Sequence, residues 1–364
     1  MKLKANMNKK ILCAISGGVD SSVAALILKQ KRFDVIGVFM NFWNENEKNN
    51  KCCSIESARI ARIVAQKLKI KLYSLNYKEL FRKKVVSYYI RGCENGQTPN
   101  PCVVCNREIK FGRLLGVARD LECSKLATGH YAQIVKNNHN FRLLRGIDKK
   151  KDQSYFLWQI PSSSLSSIEF PIGSMRKSEV RKTAKKFKLP TYNKKDSQGL
   201  CFVGKSNIKF LAKHVQKLLE PGNVVDKNNN IIGRHQGLAL YTIGQRAGFS
   251  VTNDKWRKQK SDVPPLYVMK LETKKNNLVV GEDKDTFSRS MIVSNLNWLA
   301  PPQTGLLAQI RYQYLAVKCT LSKVNQNKIR VNFLKPQRAV TPGQSCVFYH
   351  QDRLLGGGII KDED

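Results

Sequence analysis

The sequence predicts an α/β fold in which a doubly wound parallel sheet is followed by a small central domain and a C-terminal β-barrel. Two observations predict this order. Apolar segments of strand length alternate with helical segments through the first part of the chain, which is typical of a parallel sheet covered by helices. Short β segments separated by glycine turns occupy the last part, which is typical of a small barrel.

Apolar patterning locates the elements of the N-terminal part. Strands are predicted over residues 11–15, 34–40 and 71–75, and a further strand ends near His130. A helix is predicted over residues 23–30, with one face formed by Val23, Leu26 and Ile27. A second helix is predicted from positions that share one side of a helix, namely Ile55, Ala58, Arg62, Ala65 and Leu68.

The character of the sequence changes after about Phe202, and the run Glu220-Pro221-Gly222 is a turn signal. Near the C-terminus, β segments are predicted over residues 307–312, 316–324, 328–334, 345–349 and 354–360. These changes predict domains over residues 1–205, 206–285 and 286–364.

The charge balance points to a polyanionic partner. The chain has 64 Lys and Arg against 27 Asp and Glu, a formal net charge of +37. Such an excess creates a strong positive field, and nucleic acid is the partner that it favours. The alternative is a general enrichment in Lys and Asn, which patches such as residues 44–51 support.

No apolar run approaches the roughly 20 residues of a membrane helix, and the basic N-terminus leads into a strand and a glycine loop. We therefore expect a cytoplasmic protein with no membrane partner. The 10 cysteines are then expected to be reduced, so their spacing concerns catalysis or metal binding.

A glycine-rich loop, Ser16-Gly17-Gly18-Val19-Asp20-Ser21-Ser22, lies between the first strand and the first helix. Glycines let the backbone approach phosphate oxygens, and a helix N-terminus supplies N–H groups. The run lacks the G-x-x-x-x-G-K-[ST] pattern of a Walker loop, and Asp20 suits Mg²⁺. The alternative is an ordinary glycine turn with a Ser/Asp helix cap.

The heptad resembles the PP-loop of the ATP pyrophosphatase superfamily, whose members form adenylated intermediates and release pyrophosphate. Other segments, in order along nearly the whole chain, resemble those of the tRNA-specific 2-thiouridylases. They are residues 96–106 (GQTPNPCVVCN), 127–131 (ATGHY), 151–156 (KDQSYF), 196–202 (DSQGLCF), 233–236 (GRHQ), 244–246 (GQR) and 341–345 (TPGQS).

The resemblance implies a Rossmann-like PP-loop fold and an enzyme that uses ATP with Mg²⁺ to 2-thiolate the wobble uridine of tRNA, giving 2-thiouridine, AMP and pyrophosphate. The implied ATP-binding residues are Ala14, Ile15, Ser16, Gly17, Gly18, Val19, Asp20, Ser21, Met40 and Gly129. The implied tRNA contacts are Asn100, Pro101 and Cys102 at the base, and His130, Lys151, Asp152, Gln153, Arg311, Tyr312 and Gln344 elsewhere.

The resemblance also assigns the sulfur chemistry to two cysteines. Cys201 matches the residue that carries a persulfide, received from a sulfur-relay protein or a cysteine desulfurase, and Cys105 matches the nucleophile that attacks it. The expected by-product is a Cys105–Cys201 disulfide. Both thiols need a lowered pKa, because the thiolate is the nucleophile.

The sequence departs from the family pattern at Cys102, where many members have an aspartate. Cys102, Cys105 and Cys201 then form a three-thiolate set that suits a 4Fe–4S cluster with one open iron. Zinc is a weaker alternative, because a fourth ligand is not obvious. We favour the persulfide, and the cluster stays open as an alternative.

The remaining cysteines, Cys13, Cys52, Cys53, Cys93, Cys123, Cys319 and Cys346, are interpreted as structural. The basic segment 176–195 predicts either a grip on tRNA phosphates or a solvated helix face. Two other functions share parts of this pattern. An AMP-forming amidoligase would have the same loop without needing Cys105 and Cys201, and a non-catalytic RNA-binding protein would release no pyrophosphate.

Overall fold

The computed structural model describes residues 9–44, 54–138, 140–196, 199–203, 207–246, 248–251 and 265–362. The strands are β1 (Lys10–Ala14), β2 (Asp34–Asn41), β3 (Lys71–Asn76), β4 (Lys125–Ala127), β5 (Ala132–Asn137), β6 (Asn140–Arg145), β7 (Ile168–Glu169), β8 (Gly222–Val225), β9 (Ile231–His235), β10 (Ser250–Val251), β11 (Tyr267–Glu272), β12 (Asn277–Gly281), β13 (Phe287–Trp298), β14 (Leu307–Gln309), β15 (Val317–Lys323), β16 (Lys328–Arg338), β17 (Ser345–His350) and β18 (Arg353–Lys361).

The α-helices are α1 (Val19–Gln30), α2 (Ile55–Leu68), α3 (Lys78–Phe81), α4 (Ser87–Glu94), α5 (Pro101–Cys105), α6 (Leu114–Asp120), α7 (Lys177–Lys186) and α8 (Asn207–His214). Two π-helical segments, Arg82–Val86 and Asn106–Arg113, continue α3 and α5. Short 3-10 helices cover Ser154–Phe156, Ser162–Ser167, Gln216–Leu219, Leu238–Leu240 and Asp283–Thr286. None of the helices in the described ranges is both long and apolar enough to cross a membrane.

The N-terminal sheet is parallel, with strand order β3-β2-β1-β4-β7. Its central strand β1 is apolar and sends successive side chains to opposite faces. Leu12 packs with Phe111 and Leu114 on one face, whereas Ile11 packs with Leu28 on the other. Helices therefore cover both faces, which confirms the predicted doubly wound sheet.

Two details of the predicted helices are wrong. Helix α1 begins at Val19, inside the glycine-rich loop, and not at residue 23. In α2 the predicted face is displaced, because Ile55 is 83% exposed and Arg62 is also exposed. The face that packs is formed by Ser57, Ala61, Val64 and Ala65. Ile55 is the first helical residue, directly after the N-cap Ser54, so it lies beyond the layer that the helix covers.

The central part, from β8 to β12, is a separate five-stranded sheet with order β10-β9-β8-β12-β11. Strands β8 and β12 pair in parallel and the other neighbours are antiparallel. The C-terminal part is a closed antiparallel barrel of six strands, ordered β13-β16-β15-β14-β17-β18, in which β13 also pairs with β18. Closure leaves no free edge, and the predicted C-terminal barrel is confirmed.

The bounds of the barrel strands differ from the prediction. β14 ends at Gln309 instead of residue 312, and β16 continues to Arg338 instead of 334. The long strand β13 was not predicted, because its alternating polar residues (FSRSMIVSNLNW) read weakly as a strand. It also forms pairs with two neighbours, which no local pattern reveals.

The hairpin β5–β6 was also not predicted, and it attaches the barrel to the N-terminal part. Strand β6 pairs with β18 through Leu144 and Arg353. The contact continues in a buried layer, where Tyr155 Oη donates to Ser345 O (2.8 Å) and Trp158 Nε1 donates to Ser345 Oγ (3.0 Å). This attachment fixes the position of residues 151–158 relative to the barrel.

Candidate active site

The glycine-rich loop leaves the carboxyl end of β1 and enters α1. Gly17 has φ +72, and a Cβ there would lie 2.3 Å from Ser57 O, so only glycine fits. A Cβ on Gly129 would lie 2.7 Å from Ser21 N, so Gly129 must also be glycine for the two backbones to approach. Ser16 N donates to Ser21 Oγ (3.1 Å), which holds the turn. The loop is therefore a tight backbone cradle at a helix N-terminus, as phosphate binding requires.

Asp20 lies at this N-terminus and has two donors. Tyr131 Oη donates to Asp20 Oδ1 at 2.7 Å, and Lys177 Nζ lies 2.7 and 2.8 Å from the two carboxylate oxygens. The side chain of Lys177 is only 11% exposed. Lys177 also lies 2.9 Å from Asp196, so one buried cation joins the loop to the segment that leads toward Cys201.

Asp196 collects further cations, because Lys151 Nζ lies 2.7 Å and Arg181 Nη2 2.6 Å from its oxygens. Burial alone would raise the pKa of Asp196, but the hydrogen bonds from Lys151 and Lys177 outweigh it and lower that pKa to about 2. Asp196 is thus an anion throughout the physiological range and fixes three basic side chains around one point.

A first cavity, of about 340 Å³, opens above the loop, and we call it the phosphate cavity. It is lined by loop residues, by residues 128–131, and by the lysines Lys110, Lys151, Lys177, Lys194 and Lys195. Lys194 Nζ also donates to Gly17 O at 3.0 Å and so supports the loop. A pocket with backbone N–H groups on one side and several ammonium groups on the other suits a polyphosphate.

A second cavity, of about 300 Å³, adjoins the first and is mostly apolar; we call it the thiol cavity. Cys102, Cys105 and Cys201 all line it, although Cys201 is remote from the other two in sequence. Cys105 is buried, Cys201 is half-buried and Cys102 is exposed. The aromatic residues that line the cavity are Phe42, Phe81, Phe156 and Phe202. The three cysteines singled out in the sequence therefore meet in one place.

These thiols do not form a recognisable metal site. In the part of the chain that the structure describes, no three His, Cys, Asp or Glu side chains are arranged so that they could hold a metal ion. That part includes Cys102, Cys105 and Cys201, which line one cavity without forming such a group.

The two cavities share a lining formed by Ala14, Ser16, Met40, Lys110, His130 and Gln153. His130 is 8% exposed and its Nδ1 lies 2.7 Å from Thr128 Oγ1, while Lys110 Nζ lies 3.5 Å from Nε2. Burial first, and then the neighbouring Lys110 charge, lower the pKa of His130 well below its usual value. The imidazole is therefore neutral at physiological pH.

The residues predicted to contact tRNA are brought toward the cavity mouth from both ends of the chain. Lys151, Gln153 and Tyr312 line the phosphate cavity. Tyr312 packs on Phe156, with ring centroids 4.6 Å apart. Gln344 Nε2 donates to Thr98 O at 2.6 Å, which ties the barrel to the segment before Asn100.

Asp152 lies beneath that surface and not on it. It is 7% exposed, and its oxygens accept hydrogen bonds from Gly146 N (2.9 Å), Ser154 N (3.1 Å), Ser154 Oγ (2.9 Å) and Arg145 (3.0 Å). Such a network holds the turn that presents Lys151 and Gln153.

Arg311, the remaining predicted tRNA contact in the barrel, also has protein partners. It donates to Thr341 Oγ1 at 2.8 Å and is in contact with the Tyr314 ring.

The basic segment 176–195 divides into two groups. Lys177, Arg181 and Lys194 point inward to carboxylates or to the glycine-rich loop, whereas Lys182 and Lys186 are exposed on α7. The inward group answers neither prediction made for this segment. Sequence reasoning missed the contacts of Lys177 and Lys194 because their partners, Asp20 and Gly17, lie far away in the chain.

Three of the remaining cysteines fit a structural role. Burial raises the pKa of Cys13 and Cys319 to about 12, and that of Cys93 to about 11. Protonated thiols of this kind are poor nucleophiles.

Three features of the sequence lie outside the described residues. They are the pair Cys52 and Cys53, the motif residues Ser197 and Gln198, and the predicted domain boundary at residues 205–206.

Comparison with known proteins adds family information to this geometry. A family model described as tRNA methyl transferase HUP domain matches residues 9–205. Models described as tRNA methyl transferase PRC-barrel domain and aminomethyltransferase beta-barrel domain match residues 208–282 and 288–360.

Curated relatives match along almost the whole chain. A tRNA-specific 2-thiouridylase MnmA of Symbiobacterium thermophilum is 40% identical, with 97% of this chain and 92% of the relative covered. The protein of the same name from Carboxydothermus hydrogenoformans is 41% identical, with 97% of this chain and 98% of the relative covered. The protein of the same name from Clostridioides difficile is 39% identical, with 98% of this chain and 99% of the relative covered.

Proposed function

Because this chain belongs to the tRNA-specific 2-thiouridylase family, we propose that it catalyses ATP-dependent 2-thiolation of the wobble uridine of tRNA. The observation that carries the proposal is the pair of adjoining cavities. One is lined by a backbone cradle and lysines, and the other by Cys105 and Cys201. The reaction needs ATP next to the C2 oxygen of the base and a sulfur donor next to its C2 atom, so both must reach the same base.

The first step is adenylation of the base. The C2 oxygen of the uridine attacks the α-phosphorus of ATP, pyrophosphate leaves, and the oxygen becomes part of an AMP leaving group. The loop N–H groups, in a cavity that lysines line, suit the phosphates, and positioning with charge neutralisation is most of what such a displacement needs.

Mg²⁺ enters this scheme as part of the MgATP substrate. Asp20 provides one carboxylate at the mouth of the loop, and Mg²⁺ is commonly held by one or two carboxylates together with substrate phosphates. The residues therefore fit MgATP. On its arrival we expect Asp20 to exchange part of its contact with Lys177 for the metal.

The second step transfers sulfur. Cys105, as a thiolate, attacks the inner sulfur of a persulfide on Cys201, so that a Cys105–Cys201 disulfide forms and hydrosulfide leaves. The hydrosulfide adds to C2 of the base, and AMP departs with the former C2 oxygen. The disulfide is then reduced by an external thiol, and a sulfur-relay protein or cysteine desulfurase restores the persulfide.

The thiol cavity supports this assignment, because Cys105 and Cys201 both line it although they are far apart in the sequence. Aromatic walls at Phe42 and Phe156 suit a base that is flipped out of the anticodon stack. The formal charge of +37 supplies long-range attraction for tRNA.

The test is reconstitution with tRNA, MgATP, a cysteine desulfurase and cysteine, followed by nucleoside mass spectrometry and a pyrophosphate assay. We expect 2-thiouridine and one pyrophosphate per thiolated base, both dependent on ATP and tRNA. tRNA binding without pyrophosphate release would favour a non-catalytic RNA-binding protein. Pyrophosphate release that depends on an amine acceptor and not on tRNA would favour an amidoligase.

A further inference from the structure

We propose that Lys110 is a catalytic residue of the adenylation step, where its ammonium group contacts the α-phosphoryl group of ATP. The proposal rests on the proposed function and deepens it, because it assigns a residue to the reacting phosphorus. None of the motifs that predict the site includes Lys110.

The position of Lys110 is the first observation. The bond that forms joins a base in the thiol cavity to a nucleotide in the phosphate cavity, so the α-phosphorus must lie where the cavities meet. Among the described residues that line both cavities, the side chains that can carry a positive charge are Lys110 and His130.

The second observation is the division of charge between these two groups. His130 is buried and its pKa is lowered well below the usual value by burial and then by Lys110. Because an ammonium group can only donate, Nε2 accepts from Lys110 Nζ, 3.5 Å away, and the proton of the neutral ring then lies on Nδ1, 2.7 Å from Thr128 Oγ1. The neutral imidazole thus orients the ammonium group without competing with it for the phosphate.

The third observation is that three of the other four lysines that line the phosphate cavity already hold protein groups. Lys177 contacts Asp20 and Asp196, Lys151 contacts Asp196, and Lys194 contacts Gly17 O. These lysines hold the loop and the Asp196 segment around the phosphate cavity. Lys110 comes from a different element, the helical segment that follows Cys105.

Local helix geometry explains how Lys110 reaches this place. Lys110 lies in the π-helical segment Asn106–Arg113, which continues α5 directly after Cys105. A π turn is closed by i→i+5 hydrogen bonds, so Cys105 and its fifth successor Lys110 share one side of the helix. Both line the thiol cavity. In a regular α-helix, at 3.6 residues per turn, they would point in different directions.

The chemistry that Lys110 supplies is electrostatic. As the uridine C2 oxygen bonds to the α-phosphorus, the bond to the bridging oxygen breaks and its electron pair leaves with pyrophosphate. The N3 proton of the base is released to solvent. Negative charge on the non-bridging α-oxygens is greatest in the transition state, and a fixed ammonium group stabilises it there more than in bound ATP.

The experiment measures single-turnover, tRNA-dependent pyrophosphate release by Lys110→Met, Lys110→Arg and a matched control. Lys83→Met is the control, because Lys83 is an exposed lysine in the other π-helical segment. We expect Lys110→Met to slow the step by about 10²–10³-fold, the loss typical of one transition-state donor, with little change in ATP affinity. Lys110→Arg should recover part of the rate, and Lys83→Met should match the parent.

A second readout addresses contact with the phosphorus itself. The two diastereomers of adenosine 5′-O-(1-thiotriphosphate) replace one non-bridging α-oxygen or the other by sulfur. If Lys110 contacts one of those oxygens, the rate ratio between the diastereomers should shift in Lys110→Met and in Lys110→Arg. An unchanged ratio in both variants would refute the contact, even if the rate falls, since a structural role lowers the rate without moving that ratio.

Failure of the inference is distinguishable from failure of the proposed function. If the parent enzyme releases no pyrophosphate with tRNA and ATP, the proposed function fails. If the parent is active and Lys110→Met is equally fast, only the assignment of Lys110 fails. Thermal unfolding of each variant identifies a folding defect. In that case Lys110→Arg, which keeps the charge and the stem, decides the question through the diastereomer ratio.

Discussion

The phosphate cavity and the thiol cavity share one wall, yet the chain builds them differently. The phosphate cavity is centred on one contiguous loop, residues 16–21, and takes lysines from α7, from the segment after it and from more distant positions. The thiol cavity is assembled from short pieces spread between Ala14 and Phe202. The first cavity is lined by many charged side chains, several of them paired around Asp20 and Asp196. The second is mostly apolar and places its thiols in a lining with aromatic rings.

This difference separates the two half-reactions. Adenylation depends on charges that are already fixed by ion pairs, whereas sulfur transfer depends on two thiols that must change partners. Variants on one side should therefore affect one half-reaction and spare the other. Lys110 and His130 line both cavities. We therefore expect variants at these two positions to affect both half-reactions.

The largest effect is expected in the thiol cavity. Cys105→Ala and Cys201→Ala should each leave less than about one thousandth of the thiolation rate, as for loss of a covalent nucleophile. Both should still release pyrophosphate with tRNA and ATP. Cys93→Ala is the matched control, because Cys93 does not line either cavity. Loss of pyrophosphate release in the two cavity variants would show that the half-reactions are not separable.

The complementary change is Asp20→Ala in the phosphate cavity. It should reduce pyrophosphate release by about 10²–10³-fold, because it removes the carboxylate offered to MgATP and leaves Lys177 without that partner. Asp20→Asn keeps an acceptor for Tyr131 and tests the charge alone. tRNA affinity, measured by filter binding, should stay near that of the parent. Normal pyrophosphate release by Asp20→Asn would contradict the assignment.

The two cavities differ in how much of each could be predicted from the sequence alone. The loop at residues 16–22 and the parallel sheet follow from local patterning and were found. Convergence of Cys102, Cys105 and Cys201 in one cavity followed only from the family resemblance, since no local pattern links residues so far apart in the chain. Lys177 was noted only as one charge in a basic segment, because its partner Asp20 is 157 positions away.

Some features could not be predicted from local patterns at all. The hairpin β5–β6 joins the barrel through a single register pair, Leu144 with Arg353, and long-range pairing leaves no periodic signal. The π-helical turn that places Lys110 beside Cys105 breaks the 3.6-residue period on which helix interpretation depends. Sequence periodicity therefore could not predict the position of Lys110 in the wall that the two cavities share.

The charge cluster around Asp196 should be visible in the pH dependence of stability. The folded pKa of Asp196 is lowered to about 2, against about 3.9 in an unfolded chain. A lowered carboxyl pKa stabilises the fold above the unfolded value, and that contribution is lost as the pH falls through the folded value. Asp196→Asn should therefore destabilise the protein by roughly 1–3 kcal/mol at pH 7. The difference from the parent should shrink between about pH 4 and pH 2.

Urea unfolding at several pH values checks this, with Asp120→Asn, at an exposed residue of α6, as the control. A difference that stays constant down to pH 2 would mean that the charge of Asp196 is not what stabilises the cluster.

A smaller effect is expected on the outer face of α7. Lys182 and Lys186 are exposed, unlike their inward neighbours Lys177 and Arg181. If they bind tRNA phosphates, Lys182→Glu with Lys186→Glu should flatten the slope of log K against log salt by at least about 0.7 for each phosphate that the two lysines neutralise. Charge reversal at Lys274 and Lys275, exposed in the central part, is the control. An unchanged slope would identify this face of α7 as a solvated surface.

The smallest effect is expected at Cys102, where this chain departs from the commoner aspartate. Cys102 is exposed, whereas Cys105 is buried. In a persulfide mechanism Cys102 only lines the thiol cavity beside the base. Cys102→Asp should therefore keep the thiolation rate within about tenfold of the parent, a change below about 1.4 kcal/mol in the barrier, and a persulfide should be found on Cys201 by mass spectrometry. Cys102→Ser is the matched test of a metal role, because serine keeps the size but is a far weaker iron ligand. If a cluster carried the sulfur, that variant, purified without oxygen, would lose iron and activity together, and the persulfide assignment would have to be abandoned. Retention of activity without iron would leave Cys105 and Cys201 as the pair that moves the sulfur.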